Sequence, residues 1–264
     1  MLLAIDIENK FTNFGIFDKE NLLENFNLIS DKNKSIDEIE VFIKLIFKDK
    51  NISINDIDQI IISSVVPELS KIYEEVSKNI TGKSPILISA GVKTGLNIKC
   101  ENPKEVGSDR IIRAVGAKNF DDNLIIISAS SITTIDFISN KNEFRGGVIF
   151  PGIDLYAKSL YQESAKLPQV EIEKTKKVLA NNTKNAMQSG IYHSYNFAIT
   201  GMVEKIINQY SLNKDNLSII ITGTHANLIE DNKYDFKNIP NLGVYGLKNI
   251  FEIKNYNLLK HILL

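Results

Sequence analysis

Short apolar runs that alternate with longer segments of helical period are the feature that most constrains the fold of this chain. The runs are rich in Ile, Leu and Val, and polar turns separate them from the longer segments. This alternation is typical of an α/β fold. The predicted strands cover residues 2–7, 12–17, 22–28, 60–66, 124–128, 132–138, 144–149 and 217–222. The predicted helices cover residues 35–48, 68–79, 152–164, 184–209 and 246–251.

The two halves of the chain follow the same order of predicted elements. Each half opens with a strand, a polar turn containing small residues and a second strand, and later returns through a helix and a strand. Sequence identity between the halves is negligible, so the parallel is one of architecture. We place the boundary around residues 118–123, which gives an N-terminal domain of residues 1–118 and a C-terminal domain of residues 119–264.

Composition excludes several classes of protein. A hydrophobic content of 43% and a charged content of 24% are those of an ordinary globular protein. The formal net charge of −1 offers no electrostatic footprint for nucleic acid, so we expect no nucleic-acid partner. No apolar run reaches the roughly 18 residues of a membrane span, so we expect no membrane partner. The single cysteine, Cys100, leaves no disulfide framework, and together these features predict a cytoplasmic protein.

Six co-linear segments carry a resemblance to a known family. In the first half they are ISSVVPEL (62–69) and GLNIKCENPKEVGSDRIIRAVGA (95–117), where NP followed by EVG and then DR is highly distinctive. The second half contributes FRGGVIFPGIDL (144–155), LPQVEIEKTKKVLANNTKNAMQSGIYHSY (167–195), ITGTHANLI (221–229) and NLGVYGLKNIFE (241–252). This series resembles the type III pantothenate kinases over nearly the whole chain.

The resemblance implies both a fold and a reaction. The fold is the α/β architecture of acetate and sugar kinases, Hsp70 and actin (ASKHA), in which two ribonuclease-H-like halves face each other across a cleft. The reaction is the ATP-dependent phosphorylation of the terminal hydroxyl of pantothenate, the first committed step toward coenzyme A. The family requires Mg²⁺ and a monovalent cation such as K⁺ or NH₄⁺, and its enzymes are homodimers.

On the substrate side, the segment GSDR (107–110) carries the candidate catalytic residue. By resemblance, Asp109 is the base that faces the pantothenate hydroxyl, and Gly107, Ser108 and Arg110 bind substrate. Arginine suits the pantothenate carboxylate because its fork donates two parallel hydrogen bonds. The alternative is that Asp109 caps a helix that starts at Arg110, since Asp is a common N-cap.

Two further substrate positions follow from the same resemblance. Thr183 matches a family position at the substrate site and precedes a long helix, although an N-cap role would explain it equally well. Cys100 lies where the family usually has a tyrosine that touches the substrate, so one pantothenate contact is lost.

On the nucleotide side, the resemblance points to the end of the first strand and to two later turns. Asp6 would bind Mg²⁺ through water, whereas an Asp at a strand end is otherwise more often a turn former. His193 and His225 have no Cys or carboxylate at ligand spacing, so neither is expected to bind metal. The further nucleotide-binding candidates are Asn9, Lys10, Thr12, Asn13, Ser131 and Gly223.

Both phosphate loops depart from the family pattern. The first reads D-x-G-N-T in the family and DIENK (6–10) here, so that Glu8 replaces a glycine. Glycine lets backbone N–H groups approach phosphate, and the charge of Glu8 would repel phosphate if it pointed inward. The second loop reads D-x-G-T in the family and SASS (128–131) here. Thr224 likewise replaces the second glycine of the family's TGG turn.

The second loop puts the monovalent cation in doubt, because Ser128 replaces the family's acidic ligand for that ion. One hypothesis is an active kinase in which Lys10 supplies the positive charge of the missing cation. The competing hypothesis is a non-catalytic descendant that acts as a ligand-binding or regulatory protein. Homodimerisation has a plausible basis in the helix at 184–209, although burial within the subunit would equally explain its residues Met187, Ile191, Phe197 and Val203.

Overall fold

The computed structural model describes residues 1–89, 92–118, 122–230 and 233–262. Its strands are β1 (Leu2–Ile7), β2 (Phe11–Asp18), β3 (Asn21–Ile29), β4 (Gln59–Ser64), β5 (Ile86–Leu87), β6 (Asn97–Ile98), β7 (Asn123–Ala129), β8 (Ile132–Ser139), β9 (Glu143–Pro151), β10 (Leu217–Thr222) and β11 (Phe236–Asn238). Its helices are α1 (Ile36–Asp49), α2 (Pro67–Thr81), α3 (Ser108–Gly116), α4 (Ile153–Glu163), α5 (Thr183–Gln209) and α6 (Leu242–Ile262).

All thirteen elements expected from the periodicity are present, with ends that shift by a few residues. The exception in length is α6, which the sequence predicts over 246–251 and the structure extends to Leu242–Ile262. The periodicity alone misses α3 and the short strands β5, β6 and β11. None of the helices in the described part of the chain is both long enough and apolar enough to cross a membrane.

The chain forms two compact units. The first comprises Met1–Asn119 and Asn241–Leu264, and the second comprises Phe120–Pro240. The sequence prediction assigned 241–264 to the C-terminal domain of 119–264, whereas in the structure this segment packs with the first unit. The reason is that α6 completes an apolar cluster with β1 and α3. The predicted boundary at 118–123 includes residues 119–121, which lie outside the described residues.

The two units repeat one sheet topology. In the first unit the strand order is β3-β2-β1-β4-β5, and in the second unit the order β9-β8-β7-β10-β11 corresponds to it strand for strand. In each unit the first three strands along the chain form an antiparallel meander. The other two strands run parallel to the first strand of the meander, which is β1 in the first unit and β7 in the second. The predicted class, α/β with two ribonuclease-H-like halves, is confirmed for each unit.

Strand β1 is buried on both faces, and its alternation decides where Asp6 lies. Leu3 and Ile5 pack into the cluster formed with α1 and α2. Leu2 and Ala4 pack on the opposite face with α3 and α6. Because successive side chains of a strand point to opposite faces, Asp6 shares the face of Leu2 and Ala4. The end of β1 therefore presents Asp6 to α3 and α6.

Large apolar residues of β2 and α5 lie mostly in the cores of their own units. Phe14 and Phe17 are both buried, one on each face of the first sheet. In the second unit, Met187, Ile191 and Val203 on α5 are all buried in its core. Burial within the subunit therefore explains these three residues. Phe197, by contrast, is 66% exposed, so the core does not account for it.

Helices α3 and α6 cross in backbone contact through two glycines. A Cβ atom at Gly116 would collide with the carbonyl oxygen of Leu242, and one at Gly246 would collide with the carbonyl oxygen of Ile112. Both collisions are with backbone, which cannot move aside as a flexible side chain can. The crossing therefore requires glycine on each helix, and it fixes the position of α3 against the sheet.

We expect Gly246→Ala to lower the free energy of unfolding by roughly 1–3 kcal/mol, because the added methyl forces α6 away from α3. Urea denaturation monitored by circular dichroism measures this change. The matched control is Gly201→Ala in α5, where a Cβ meets no atom within 4 Å. That control should raise stability by up to about 1 kcal/mol, because alanine favours the helix over glycine. Equal effects at the two positions would contradict the proposed backbone contact.

Candidate active site

Asp6, near the end of β1, is a buried carboxylate with one oxygen that accepts no hydrogen bond from the described residues. The residue is 2% exposed, and its Oδ1 has no hydrogen-bond partner among the described residues. Its Oδ2 lies against Gly243 at the start of α6, where any side chain would displace it. Burial and the neighbouring Glu8 charge hold the pKa of Asp6 well above its usual range. A buried carboxylate oxygen without a partner suits a hydrated cation, so this residue fits the Mg²⁺ role expected of it.

A second carboxylate, Glu8, forms an ion pair with the buried Arg113 of α3. Arg113 is 4% exposed, and its Nη1 donates to Oε1 of Glu8 at 2.8 Å. Its Nη2 donates to Oδ2 of Asp109, one turn earlier on the same helix. Burial raises the pKa of Glu8, and the Arg113 guanidinium counters part of that effect. The Glu8 carboxylate is thus paired with Arg113. The sequence of the first loop alone does not predict this ion pair.

The segment GSDR (107–110) lies at the start of α3. The helix begins at Ser108 with Gly107 at its N-cap, so the alternative that Asp109 caps a helix starting at Arg110 is wrong. The Asp109 side chain instead binds Arg113. Ser108 links α3 to β4, because its Oγ accepts from Ser63 Oγ at 3.0 Å and donates to the Ser64 carbonyl at 3.1 Å.

The remaining substrate candidates occupy separate segments. Arg110 and Cys100 are half-buried in the first unit. Thr183 is exposed in the second unit as the first residue of α5. The N-cap of that helix is Asn182, whose side chain accepts from the Asn185 backbone N–H at 2.9 Å. The capping alternative for Thr183 is therefore wrong.

The first loop divides its candidates between two faces of the sheet. Asn13 pairs with Asp6 across β1 and β2 and is half-buried on the same face. Thr12 is fully buried on the opposite face, where its Oγ1 lies 2.9 Å from Ser30 Oγ. Asn9 and Lys10 are exposed in the turn between β1 and β2. The structure thus gathers Asn13 with Asp6 and leaves Thr12 facing α1 and α2.

Two turns of the same unit, one at Gly152 and one at Gly223, pack directly against the backbone of the second loop. Gly152 donates its N–H to the Ser131 carbonyl at 3.2 Å, and a Cβ there would meet the backbone of that loop. Gly223 has a φ of 98°, and a Cβ there would lie 2.6 Å from the Ala129 carbonyl. Ser128 is buried in β7 beside these turns. The structure therefore brings Gly223 against the loop that carries Ser128 and Ser131.

His225 lies beside the second loop, where its backbone N–H donates to the Ala129 carbonyl at 2.8 Å. His225 Nε2 lies 3.1 Å from Oδ1 of Asp154. The two residues are too far apart along the chain for their spacing to predict this contact. Within the described ranges, no group of three or more His, Cys, Asp or Glu side chains could hold a metal ion.

Comparison with known proteins decides the family. A model of type III pantothenate kinase matches residues 2–205. A type III pantothenate kinase of Geotalea uraniireducens (strain Rf4) is 37% identical over 254 residues, covering 96% of this chain and 98% of the relative. A type III pantothenate kinase of Geobacter sulfurreducens is 36% identical over 255 residues, with coverage of 96% and 98%. The chain belongs to the type III pantothenate kinase family.

Solved structures support the same fold at low sequence identity. A protein of Campylobacter jejuni described as a Baf family transcriptional activator matches with a TM-score of 0.60 and 21% identity, covering 96% of this chain and 99% of that one. MreB 5 of Spiroplasma citri matches with a TM-score of 0.54 and 10% identity, covering 98% of each chain. At such identities the likeness concerns fold alone, and it agrees with the ASKHA architecture of this kinase family.

One residue of the site was missed by the sequence reading. Arg113 contacts Asp109 and Glu8, yet no family motif singled it out. The available signal was its spacing, because a cation four residues after an acid on a helix lies beside it. That spacing is common on helix surfaces, and only the burial of Arg113 sets this pair apart.

We expect Asp6→Asn to stabilise the Mg²⁺-free protein at neutral pH. Because the folded pKa of Asp6 lies above the unfolded value of about 3.9, its contribution favours folding below that value and is lost as pH rises through the folded pKa. Removing the carboxylate should therefore raise the free energy of unfolding at pH 7.5 and change it less at pH 5. Urea denaturation at pH 5 and pH 7.5 tests this.

Asp58→Asn is the control for that experiment. Asp58 is exposed, and its hydrogen bond from the N-terminal amino group lowers its pKa. Its removal should therefore act in the opposite direction, lowering stability slightly at neutral pH. An Asp6→Asn protein that is less stable at pH 7.5 than the parent would show that the carboxylate is satisfied in the fold.

Proposed function

We propose that this protein transfers the γ-phosphoryl group of ATP to the terminal hydroxyl of pantothenate, the first step toward coenzyme A. The observation that carries the proposal is the alignment of 96% of the chain with a type III pantothenate kinase. The local structure agrees with it, because Asp109 and Arg110 both lie in the first turn of α3.

Asp109 is the general base of the proposed reaction. The pantothenate hydroxyl loses its proton to the Asp109 carboxylate as its oxygen bonds to the γ-phosphorus. The bond between that phosphorus and the β,γ-bridging oxygen breaks, and ADP leaves. Phosphoryl transfer depends chiefly on positioning and on neutralising charge, so a carboxylate held in a fixed direction is what the protein needs to supply.

The pantothenate carboxylate is the proposed partner of Arg110. A guanidinium donates two parallel hydrogen bonds to a carboxylate, which fixes the direction of the substrate as well as its position. Gly107 and Ser108 precede it at the start of α3 and complete the substrate contacts of the first unit. Thr183 adds a contact at the start of α5, and Cys100 takes the place of a lost tyrosine contact.

For the nucleotide we propose contacts from both phosphate loops. The residues are Asn9, Lys10 and Asn13 in the first unit, and Ser131 and Gly223 in the second. Asp6 holds Mg²⁺ through water, and the metal neutralises charge on the transferring phosphoryl group. The burial of Thr12 makes its role one of supporting the loop from beneath.

The family's monovalent cation is replaced, in this proposal, by the ammonium of Lys10, since Ser128 lacks the acid that binds K⁺ or NH₄⁺. The protein is proposed to act in the cytoplasm as a homodimer. Exposed Phe197 supports an additional contact surface on α5. Sedimentation equilibrium of the purified protein tests the dimer, and a monomer at all concentrations would exclude it.

Asp109→Asn should reduce kcat by about 10²–10⁴-fold, because the amide cannot accept the hydroxyl proton. The measurement is a coupled assay of ADP formation with pantothenate and MgATP. The control is Asp37→Asn, an exposed acid in the first turn of α1 in the same unit, which should leave kcat unchanged. A folded parent protein that binds pantothenate without turnover would contradict the proposed kinase.

Lys10→Met should lower kcat by roughly tenfold at low potassium, because the site loses its substitute cation. The parent activity should not change when potassium or ammonium is added. The double variant Lys10→Met/Ser128→Asp, which restores the acid, should regain activity only when potassium is present. A parent enzyme whose activity rises steeply with potassium would rule out the role proposed for Lys10.

A further inference from the structure

One guanidinium joins two carboxylates that come from distant parts of the chain. Arg113 on α3 donates through Nη1 to Glu8, in the turn after β1, and through Nη2 to Asp109 on its own helix. The Arg113 side chain is almost fully buried, whereas the Glu8 and Asp109 side chains remain partly accessible. The cation therefore lies beneath the two acids and leaves their outer sides open.

We propose that Arg113 is a positioning residue that orients the base Asp109 and holds Glu8 away from the phosphates, so that Glu8 and Arg113 function as an interdependent pair. The inference rests on the proposed kinase reaction. Arg113 thereby has a role in the reaction. Glu8, in place of repelling phosphate, helps to hold Arg113 in position.

The contacts of Asp109 show how its direction is set. Arg113 occupies Oδ2, which leaves Oδ1 as the oxygen that can accept the substrate proton. Oδ1 lies beside Gly107, where a Cβ atom would be 2.5 Å from it. Because Gly107 has no side chain, this oxygen is not covered from that side. The guanidinium and the glycine together select one oxygen of the base and keep it accessible.

The planar fork of arginine explains why one residue can fix two acids. Its two Nη atoms donate in fixed directions, so the positions of Glu8 and Asp109 are coupled through a rigid group. A lysine at the same position would provide a compact charge on a flexible stem and would not impose that geometry. Removing the cation altogether would leave two neighbouring carboxylates uncompensated beside buried Asp6.

The test compares kcat and KM for four variants: Arg113→Lys, Arg113→Met, Glu8→Gln and the double variant Glu8→Gln/Arg113→Met. We expect Arg113→Lys to lower kcat by about tenfold and Arg113→Met by about 100-fold, because a misplaced base loses rate steeply. The KM for pantothenate should change by less than about threefold, since Arg110 still binds its carboxylate. The double variant should be more active than Arg113→Met, because the uncompensated charge of Glu8 is gone.

Lys248→Met provides the matched control. Lys248 is 7% exposed on α6 in the same unit, and it pairs with Glu20 and with Glu252, the latter at 2.8 Å. Its removal should cost stability as Arg113→Met does, while kcat stays within about twofold of the parent. The inference is overturned if Arg113→Lys keeps full kcat, if Arg113→Met loses no more kcat than Lys248→Met, or if the double variant shows no rescue.

The proposed function and this inference fail in different ways. A parent protein that forms no phosphopantothenate contradicts the function. The interdependence of Glu8 and Arg113 is then judged from the free energies of unfolding of the same variants, measured as a double-mutant cycle. Non-additive changes support the pairing, and additive changes overturn it.

Discussion

The backbone contact between α3 and α6 is the constraint on which the candidate site depends. Gly116 and Gly246 let the two helices approach until each meets a carbonyl group of the other. This crossing positions α3 so that Arg113 reaches Glu8 in the loop after β1. It also brings Gly243, at the start of α6, against the carboxylate of Asp6. A segment from the far end of the sequence thus completes the first unit.

The charges gathered by this packing are arranged for positioning more than for stability. Glu8 and Asp109 share a single guanidinium near buried Asp6, and burying such groups costs free energy that their mutual attraction offsets only in good geometry. Burial accordingly raises the pKa of both Asp6 and Glu8. Charged groups held at such a cost are typical of functional sites, where direction and protonation state matter more than their contribution to folding.

The two phosphate loops depart from the family pattern in different ways. In the first loop the replacement of glycine by Glu8 is compensated locally, because Arg113 takes up the new charge. In the second loop Ser128, Ser130 and Ser131 depart from the family pattern, while Gly152 and Gly223 still allow neighbouring turns to approach its backbone. In the first loop the new residue, Glu8, therefore has an ion-pair partner. In the second loop the turns that pack against the loop are kept.

The sequence by itself determined the α/β class, the repeated order of strands and most of the element bounds, because hydrophobic periodicity reports which faces are buried. It also indicated that GSDR and the loop at Asp6 belong to the candidate site, since each motif consists of residues that are close together in the sequence. The tertiary structure decided that α6 joins the first unit, that Thr12 faces away from Asp6, and that Glu8 pairs with Arg113 across 105 residues. These outcomes depend on which surfaces meet in space, and a local pattern carries no record of its distant partner.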